Sequence, residues 1–193
     1  MSKKQHIMKE AAALFAKKGF TRTSTAEIAE AANTAHGTVF YHFGTKQELL
    51  FEIYNNLMEE YLSGLKEVCA KNLSGLETVI RVVKFHFTFA EAHWNEYTIL
   101  HRDFPFIRDH KTYNFELVRQ NNEQSIAYIR SAIENGMQDG SVRPDADADG
   151  YARLIKTMLI GIARATHMNT IDFKSSLSVA CDFCTNALRS KGA

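Results

Sequence analysis

Proline and glycine are scarce in this chain, which has only two prolines and ten glycines among 193 residues. Its apolar residues recur at the i, i+3, i+4, i+7 spacing of an amphipathic helix, and runs typical of strands are few. Because proline and glycine are the main residues that interrupt helices, their scarcity predicts long helices joined by short turns. We therefore expect an all-α fold of about nine helices.

Three segments have the form of a capping box, in which two side chains satisfy free amides at a helix start. They are Ser2–Gln5, Ser24–Glu27 and Thr45–Glu48. The first predicts a helix that ends near Gly19, and the second predicts a short helix of residues 25–32. A tight turn is expected at Asn33, because asparagine tolerates positive φ, and residues 35–42 form the next helix. The third box begins a long helix at Lys46.

The remaining sequence predicts further helices at roughly regular intervals. Together with the long one they cover approximately residues 46–73, 76–92, 94–104, 108–138, a segment around 151–162, and 173–189. A turn is expected at residues 139–144. No repeat or Pro/Ser-rich linker interrupts the chain, so the domain boundary must lie inside or beside the helix that starts at Lys46. We place one domain at residues 1–48 and a larger one at residues 49–193.

The overall formal charge of +1 hides an asymmetry along the chain. Residues 1–50 carry seven basic and four acidic side chains, whereas the remainder carries 16 basic and 18 acidic ones. A basic segment of this size is only a weak indication of nucleic-acid binding, and by itself a solvated surface is the better explanation.

Three short helices with a tight turn between the second and third are typical of a helix-turn-helix unit. In such a unit one helix braces against the DNA backbone while the next presents small or polar side chains to base edges. Within residues 35–43, we expect Val39, Phe40 and Phe43 to pack inward. The side chains displayed outward would be His36, Gly37, Thr38, Tyr41 and His42. An ordinary three-helix packing unit is the alternative.

Residues 19–50 closely resemble the TetR family of transcriptional regulators. The pattern is an aromatic after glycine, a Thr/Ser pair, Ile-Ala, an alanine-rich turn, Gly-Thr-hydrophobic-aromatic-x-His-Phe, and a lysine followed by leucine. The matching positions are Gly19, Phe20, Thr23, Ser24, Ile28, Ala29, Gly37, Thr38, Phe40, His42, Phe43, Lys46 and Leu49. The resemblance implies a DNA-binding head at residues 1–48 and an all-helical ligand-binding and dimerisation domain at residues 49–193.

The chain departs from the family pattern at three positions near the turn. Asn33, Ala35 and His36 stand where the family usually has glycine, serine and often lysine. Because alanine has no side-chain oxygen, we expect Thr34 to cap the following helix instead.

The resemblance also implies which residues contact duplex DNA. They are Thr23, Ser24, His36, Gly37, Thr38, Tyr41, His42 and Lys46. Thr23, Ser24 and Lys46 would meet phosphates, and His36, Thr38 and Tyr41 would meet base edges or the groove. Lys3 and Lys4 form either a mobile arm along the DNA backbone or a solvated tail.

Residues 85–115 hold nine of the 21 aromatic residues of the chain. Aromatic residues at helical spacing usually form a core, but an aromatic wall also suits a small-molecule pocket. The resemblance favours a pocket for a small, partly hydrophobic effector in this region. The candidate lining residues are Phe89, Trp94, Tyr97, Phe104 and Tyr128.

The last two predicted helices have broad apolar faces. The resemblance implies that two such helices from each subunit form a four-helix homodimer interface, and packing within one subunit is the alternative. The candidate interface residues are Leu154, Met158, Ile162, Leu177, Cys181, Cys184 and Leu188. A dimer would place two heads on a palindromic operator whose half-sites lie about 34–36 Å apart.

Histidines and cysteines elsewhere carry no metal-ligand pattern. His86, His93, His101 and His110 lie near Glu96 and Asp103, but His86 and His93 are two helical turns apart, so one ion cannot bridge them unaided. We interpret these histidines as polar lining or a solvated face. The Cys181-x-x-Cys184 pair is better explained by apolar packing than by redox or zinc chemistry. No metal and no cofactor are expected.

The sequence contains no nucleophile elbow and no phosphate-binding loop, so we expect no catalytic residue and no enzyme. The resemblance instead implies a ligand-responsive repressor that binds its operator as a homodimer. The alternative is a helical adaptor or ligand-binding protein that has lost specific DNA binding. No signal peptide, membrane span or disulfide framework is indicated, which predicts a cytoplasmic protein with no membrane partner.

Overall fold

The computed structural model describes residues 2–102 and 114–190. Across these residues it contains nine α-helices and no strand, and this confirms the all-α prediction. The helices are α1 (Lys3–Lys18), α2 (Thr25–Ala31), α3 (His36–Phe43), α4 (Lys46–Cys69), α5 (Gly75–Ala92), α6 (Trp94–Arg102), α7 (Phe115–Asp139), α8 (Ala148–His167) and α9 (Phe173–Leu188). None of these helices has the length and apolarity that a membrane span requires.

The predicted helices are present, with their ends shifted by a few residues. The long helix is shorter than predicted, because α4 ends at Cys69 and a turn follows before α5 begins at Gly75. The helix predicted for residues 108–138 is described as α7, from Phe115 onward. The intervening residues 103–113, which include Phe104 and His110, lie outside the described residues.

Two compact units make up the chain. The first comprises the chain up to Glu59 and the segment that begins at His93, and the second comprises Glu60–Ala92 and the chain from Glu116 onward. Helix α4 therefore contributes to both units. The domain boundary after residue 48 stays a prediction.

All three predicted capping boxes are formed. The backbone amide of Gln5 donates to Ser2 Oγ over 3.2 Å, and the backbone amide of Ser2 donates to the Gln5 side chain in return. The same reciprocal pair of bonds links Ser24 with Glu27 and Thr45 with Glu48. The turn residue Asn33 has φ of 45°, as its predicted role requires. These local signals fix where α1, α2 and α4 begin.

The core of the first unit brings α1, α2, α3 and α6 together. Ile7 and Phe15 of α1 and Ile28 of α2 are fully buried, and Val39 and Phe43 of α3 pack with them. The guanidinium of Arg102 donates to the Phe15 and Ala16 carbonyls, which ties the end of α6 to α1.

The core of the second unit is built on α5, α7, α8 and α9. Helix α9 packs against α5, its Ala180, Cys184 and Leu188 are buried, and the Phe87 and Phe173 rings lie 4.7 Å apart. The start of α5 approaches α7 so closely that a Cβ on Gly75 would lie 2.1 Å from the Gly136 nitrogen. Only glycine fits at this contact.

Candidate nucleic-acid interface

A short turn sets α3 across the end of α2. The Thr34 amide donates to the Ala29 carbonyl over 2.9 Å, and Ala35 is the N-cap of α3 with no side-chain cap. The expectation that Thr34 caps α3 is wrong, because its hydroxyl is buried and makes no hydrogen bond. The start of α3 therefore keeps free amides, which favour an anion.

One face of α3 points to solvent. Tyr41 is 85% exposed, and His36 and Gly37 are also exposed, while Thr38 and His42 are partly exposed. A Cβ on Gly37 would have no neighbour within 4 Å, so the missing side chain leaves open space on this face. Val39 and Phe43 hold the opposite face in the core. The helix thus presents its side chains from a fixed support.

Phe40 does not pack inward as the sequence indicated. It is 51% exposed, and its ring makes an edge contact with the His36 ring at 5.1 Å. Its neighbour Val39 occupies the inward position, and adjacent residues on a helix are about 100° apart. Phe40 is therefore a surface residue of α3 that sequence reasoning missed.

His36 is linked to the start of α2. Its Nε2 lies 2.8 Å from Thr25 Oγ1, within hydrogen-bond distance. This contact orients the imidazole on the exposed face, and it joins the first residue of α3 to the first residue of α2.

Thr23 and Ser24 lie together but differ in exposure. Thr23 is 1% exposed and its hydroxyl donates to the Gly19 carbonyl, so its side chain is not available to a phosphate as we had expected. Ser24 is exposed as the N-cap of α2, and its backbone amide donates to the Glu27 carboxylate. A phosphate at this site would have to share Ser24 with Glu27.

The Glu27 carboxylate is held ionised by its neighbours. A hydrogen bond from Lys18, followed by the amide and hydroxyl of Ser24, lowers its pKa to about 2. Lys18 Nζ lies 2.5 Å from Glu27 Oε1. This ion pair ties the end of α1 to α2.

Lys46 contacts the protein more than solvent. Its ammonium donates to the Phe20 and Thr23 carbonyls over 2.8 Å each, and it lies 4.5 Å from the centre of the Phe20 ring. Desolvation lowers its pKa. An ammonium has three donors, so one N–H is left for a phosphate while two hold the loop before α2.

The N-terminal lysines form neither a mobile arm nor a solvated tail. Helix α1 begins at Lys3, and Lys4 Nζ pairs with Glu52 at 2.7 Å. Both sequence-based alternatives are wrong because the Ser2 capping box extends α1 to its first residues.

Comparison with known proteins agrees with this arrangement of helices. The family model for bacterial regulatory proteins of the tetR family matches residues 7–53. The HTH-type transcriptional regulator YhgD of Bacillus subtilis is 30% identical over 145 residues, which is 75% of this chain and 74% of that protein. The chain belongs to the TetR family. It is a DNA-binding transcriptional regulator.

Two further proteins extend the likeness over most of this TetR-family chain. The transcriptional repressor KstR2 of Mycolicibacterium smegmatis is 24% identical over 155 residues, covering 80% of this chain and 75% of that protein. The crystal structure of FadR from Bacillus subtilis in complex with stearoyl-CoA has a TM-score of 0.72 at 19% identity, covering 95% of this chain and 98% of that one. The second likeness shows a shared fold.

The candidate effector-pocket residues of this TetR-family protein fall in both units. Phe89 is buried in the second unit against the Tyr61 and Phe85 rings, and Tyr128 of the same unit is partly buried. Tyr97 is buried and Trp94 partly buried in the first unit. Phe104 lies outside the described residues. The pocket stays a prediction.

The candidate dimer residues divide between a surface and the core. Leu154 is 65% exposed, and Met158 and Ile162 line an open groove of about 480 Å³ between α8 and α9. Leu177 and Cys181 are partly buried. Cys184 and Leu188 are buried within the second unit of the single chain, so placing them in an interface was wrong.

Sequence reasoning missed the residues that complete this groove. Val179 and Phe183 are 68% and 58% exposed, and Ile171 lies beside them. Helix α9 has two neighbouring apolar stripes, and periodicity does not tell which of them faces inward. We call the surface of Leu154, Met158, Ile162, Ile171, Val179 and Phe183 the α8/α9 face.

The histidine and cysteine candidates show no metal site in the described residues. Within residues 2–102 and 114–190, no group of three His, Cys, Asp or Glu side chains is placed so that it could hold a metal ion. His86 is buried with its Nδ1 3.1 Å from the Tyr61 hydroxyl. Burial raises the pKa of Cys184 to about 11 and also raises that of Cys181, so both thiols resist ionisation. A thiol of this kind is a poor redox group.

Proposed function

We propose that this TetR-family regulator is a homodimeric repressor that binds a palindromic operator and responds to a small, partly hydrophobic effector. The observation that carries the DNA-binding part is the exposed face of α3, supported from behind by Val39 and Phe43. A helix presented in this way fits the major groove, which admits one α-helix.

Different residues of the DNA-binding head contact bases and phosphates. His36, Thr38 and Tyr41 contact base edges, and Phe40 adds an apolar surface of the kind that recognises a thymine methyl. Gly37 allows the backbone to approach the DNA. Ser24, His42 and the remaining N–H of Lys46 contact phosphates, which fix the register of α3 in the groove.

Dimerisation occurs through the α8/α9 face. Large apolar side chains exposed together on one face mark an interaction surface, and a two-fold axis covers such a face with its own copy. The dimer also raises affinity, because two heads bind two half-sites about 34–36 Å apart on one face of the DNA.

The effector acts by binding one geometry of the dimer more tightly than the DNA-bound geometry. The aromatic cluster of the second unit supports a partly hydrophobic ligand, and so does the stearoyl-CoA complex of FadR, which shares the fold. Helix α4 connects the two units through the chain. The protein acts in the cytoplasm, where a regulator meets the chromosome.

Selection of bound sequences from a random duplex pool tests this function. We expect a palindromic consensus, bound by the dimer with an affinity that falls as salt rises, because phosphate contacts release counterions. A random duplex of equal length serves as the control. Equal affinity for the selected and random duplexes, or no binding to either, would favour the helical adaptor instead.

A further inference from the structure

Helix α8 carries a buried lysine in the second unit. Lys156 is only 7% exposed, and its Nζ lies 4.5 Å from the centre of the Tyr61 ring. Within residues 2–102 and 114–190, the ring contact with Tyr61 is the one side-chain interaction of the Lys156 ammonium, which has no hydrogen bond or ion pair there. The ammonium therefore has donors that no protein acceptor satisfies in this part of the chain.

Transferring an ammonium from water into a protein interior costs free energy unless the ammonium gains a partner there. Charged groups in protein interiors are normally paired with a group of opposite charge. Desolvation lowers the pKa of Lys156 to about 8, with no acidic residue raising it. The Tyr61 ring is a weaker partner for this charge than a carboxylate would be.

The surroundings of Lys156 combine one polar pair with an aromatic wall. The Tyr61 hydroxyl lies 3.1 Å from His86 Nδ1, and both side chains are buried. The Tyr61 ring contacts the Phe85 ring at 5.6 Å and the Phe89 ring at 5.2 Å. A positive charge beside apolar rings suits a molecule with an acidic group on an apolar body.

We propose that Lys156 binds the anionic group of the effector, and that the effector is an amphiphilic acid whose apolar part lies against Tyr61, Phe85 and Phe89. The shared chemistry is a carboxylate or phosphate oxygen that accepts from the Lys156 ammonium. This inference rests on the proposed effector response and names the chemical class of the ligand.

Calorimetric titration with three probes of equal chain length tests the site. The probes are decanoate, decyl phosphate and 1-decanol, so the two acids differ from each other in headgroup and from the alcohol in charge. We expect the native protein to bind at least one acid about tenfold or more tightly than the alcohol, because a charge-assisted hydrogen bond is stronger than a neutral one. The better acid identifies the headgroup.

Removing the charge of Lys156 should remove only the preference for the acid over the alcohol. Lys156→Met keeps the length and apolar stem of the side chain, and Lys156→Gln removes the charge with a polar end, so an effect common to both comes from the charge. Both should bind the acid and the alcohol alike. Lys66→Met removes an equal charge from an exposed position of α4 and should keep the native preference. Thermal melting confirms that each variant is folded.

Two results would overturn the proposal. One is a native protein that binds neither acid better than 1-decanol, and the other is an acid preference that persists in both Lys156 variants. Release of operator DNA is measured separately by gel shift. An acid that binds through Lys156 without releasing DNA would refute the effector response but leave the site intact.

Discussion

Replacing Phe183 on the α8/α9 face should separate the two subunits. Phe183 is 58% exposed in the single chain. An aromatic side chain buries about 200 Å² when fully covered, so a partner would cover roughly 115 Å² of it. At about 25 cal/mol per Å² this contact contributes about 3 kcal/mol per subunit. Alanine keeps part of the contact, so we take about 2 kcal/mol as the loss for Phe183→Ala.

The two-fold axis doubles this loss. Each dimer contains two copies of the substitution, which gives about 4 kcal/mol and a roughly 10³-fold weaker dimer. Sedimentation velocity over a range of protein concentrations measures the change. The matched control is Phe40→Ala, because Phe40 is 51% exposed but lies on α3. We expect the control to stay dimeric and to lose affinity for DNA.

The reasoning about this face would be refuted by either of two observations. The first is a native chain that remains a monomer at every concentration. The second is a Phe183→Ala variant that dimerises as tightly as the native chain while remaining folded.

Three further substitutions address the head. Tyr41→Ala should weaken binding to the selected operator by about 1–3 kcal/mol and leave binding to random duplex nearly unchanged, which fluorescence anisotropy on both duplexes would reveal; an equal loss on both would remove Tyr41 from base recognition. Phe15→Ala should lower the free energy of unfolding by about 3–5 kcal/mol, because Phe15 is fully buried, and chemical denaturation followed by circular dichroism measures this; a change below about 1 kcal/mol would contradict the described core. Glu27→Gln should be less stable than the native chain at neutral pH, and the difference should disappear as pH falls, because the folded-state pKa of about 2 lies below the ordinary 4.5 and the contribution of the carboxylate is lost as pH falls through that range. Thermal melting of both proteins between neutral pH and pH 2 checks this, and a difference independent of pH would contradict it.

Local chemistry made part of the fold predictable from sequence. The capping boxes at Ser2, Ser24 and Thr45 involve residues three apart, so their signal is complete within a short segment. The signal for the turn at Asn33 is also local, because it lies in a single residue that tolerates positive φ. The starts of α1, α2 and α4 and the turn before α3 followed from these residues alone.

Tertiary contacts decided the features that the sequence left open. Phe40 and Val39 are adjacent, and only the packing of α3 shows which one faces the core. Cys184 and Leu188 lie on an apolar stripe beside that of Val179 and Phe183, and only the packing of α9 within the second unit shows that the first stripe is the buried one. Lys46 bonds to carbonyls more than 20 residues away, which no local pattern indicates. Lys156 gave no sequence signal, because a single lysine in an apolar stripe usually extends to solvent.

A crystal structure of the protein bound to its selected duplex tests the central claim most directly. We expect α3 in the major groove, with His36, Thr38 and Tyr41 within hydrogen-bond distance of base edges in both half-sites. A complex in which the exposed face of α3 points away from the DNA, while another surface contacts the bases, would contradict the account.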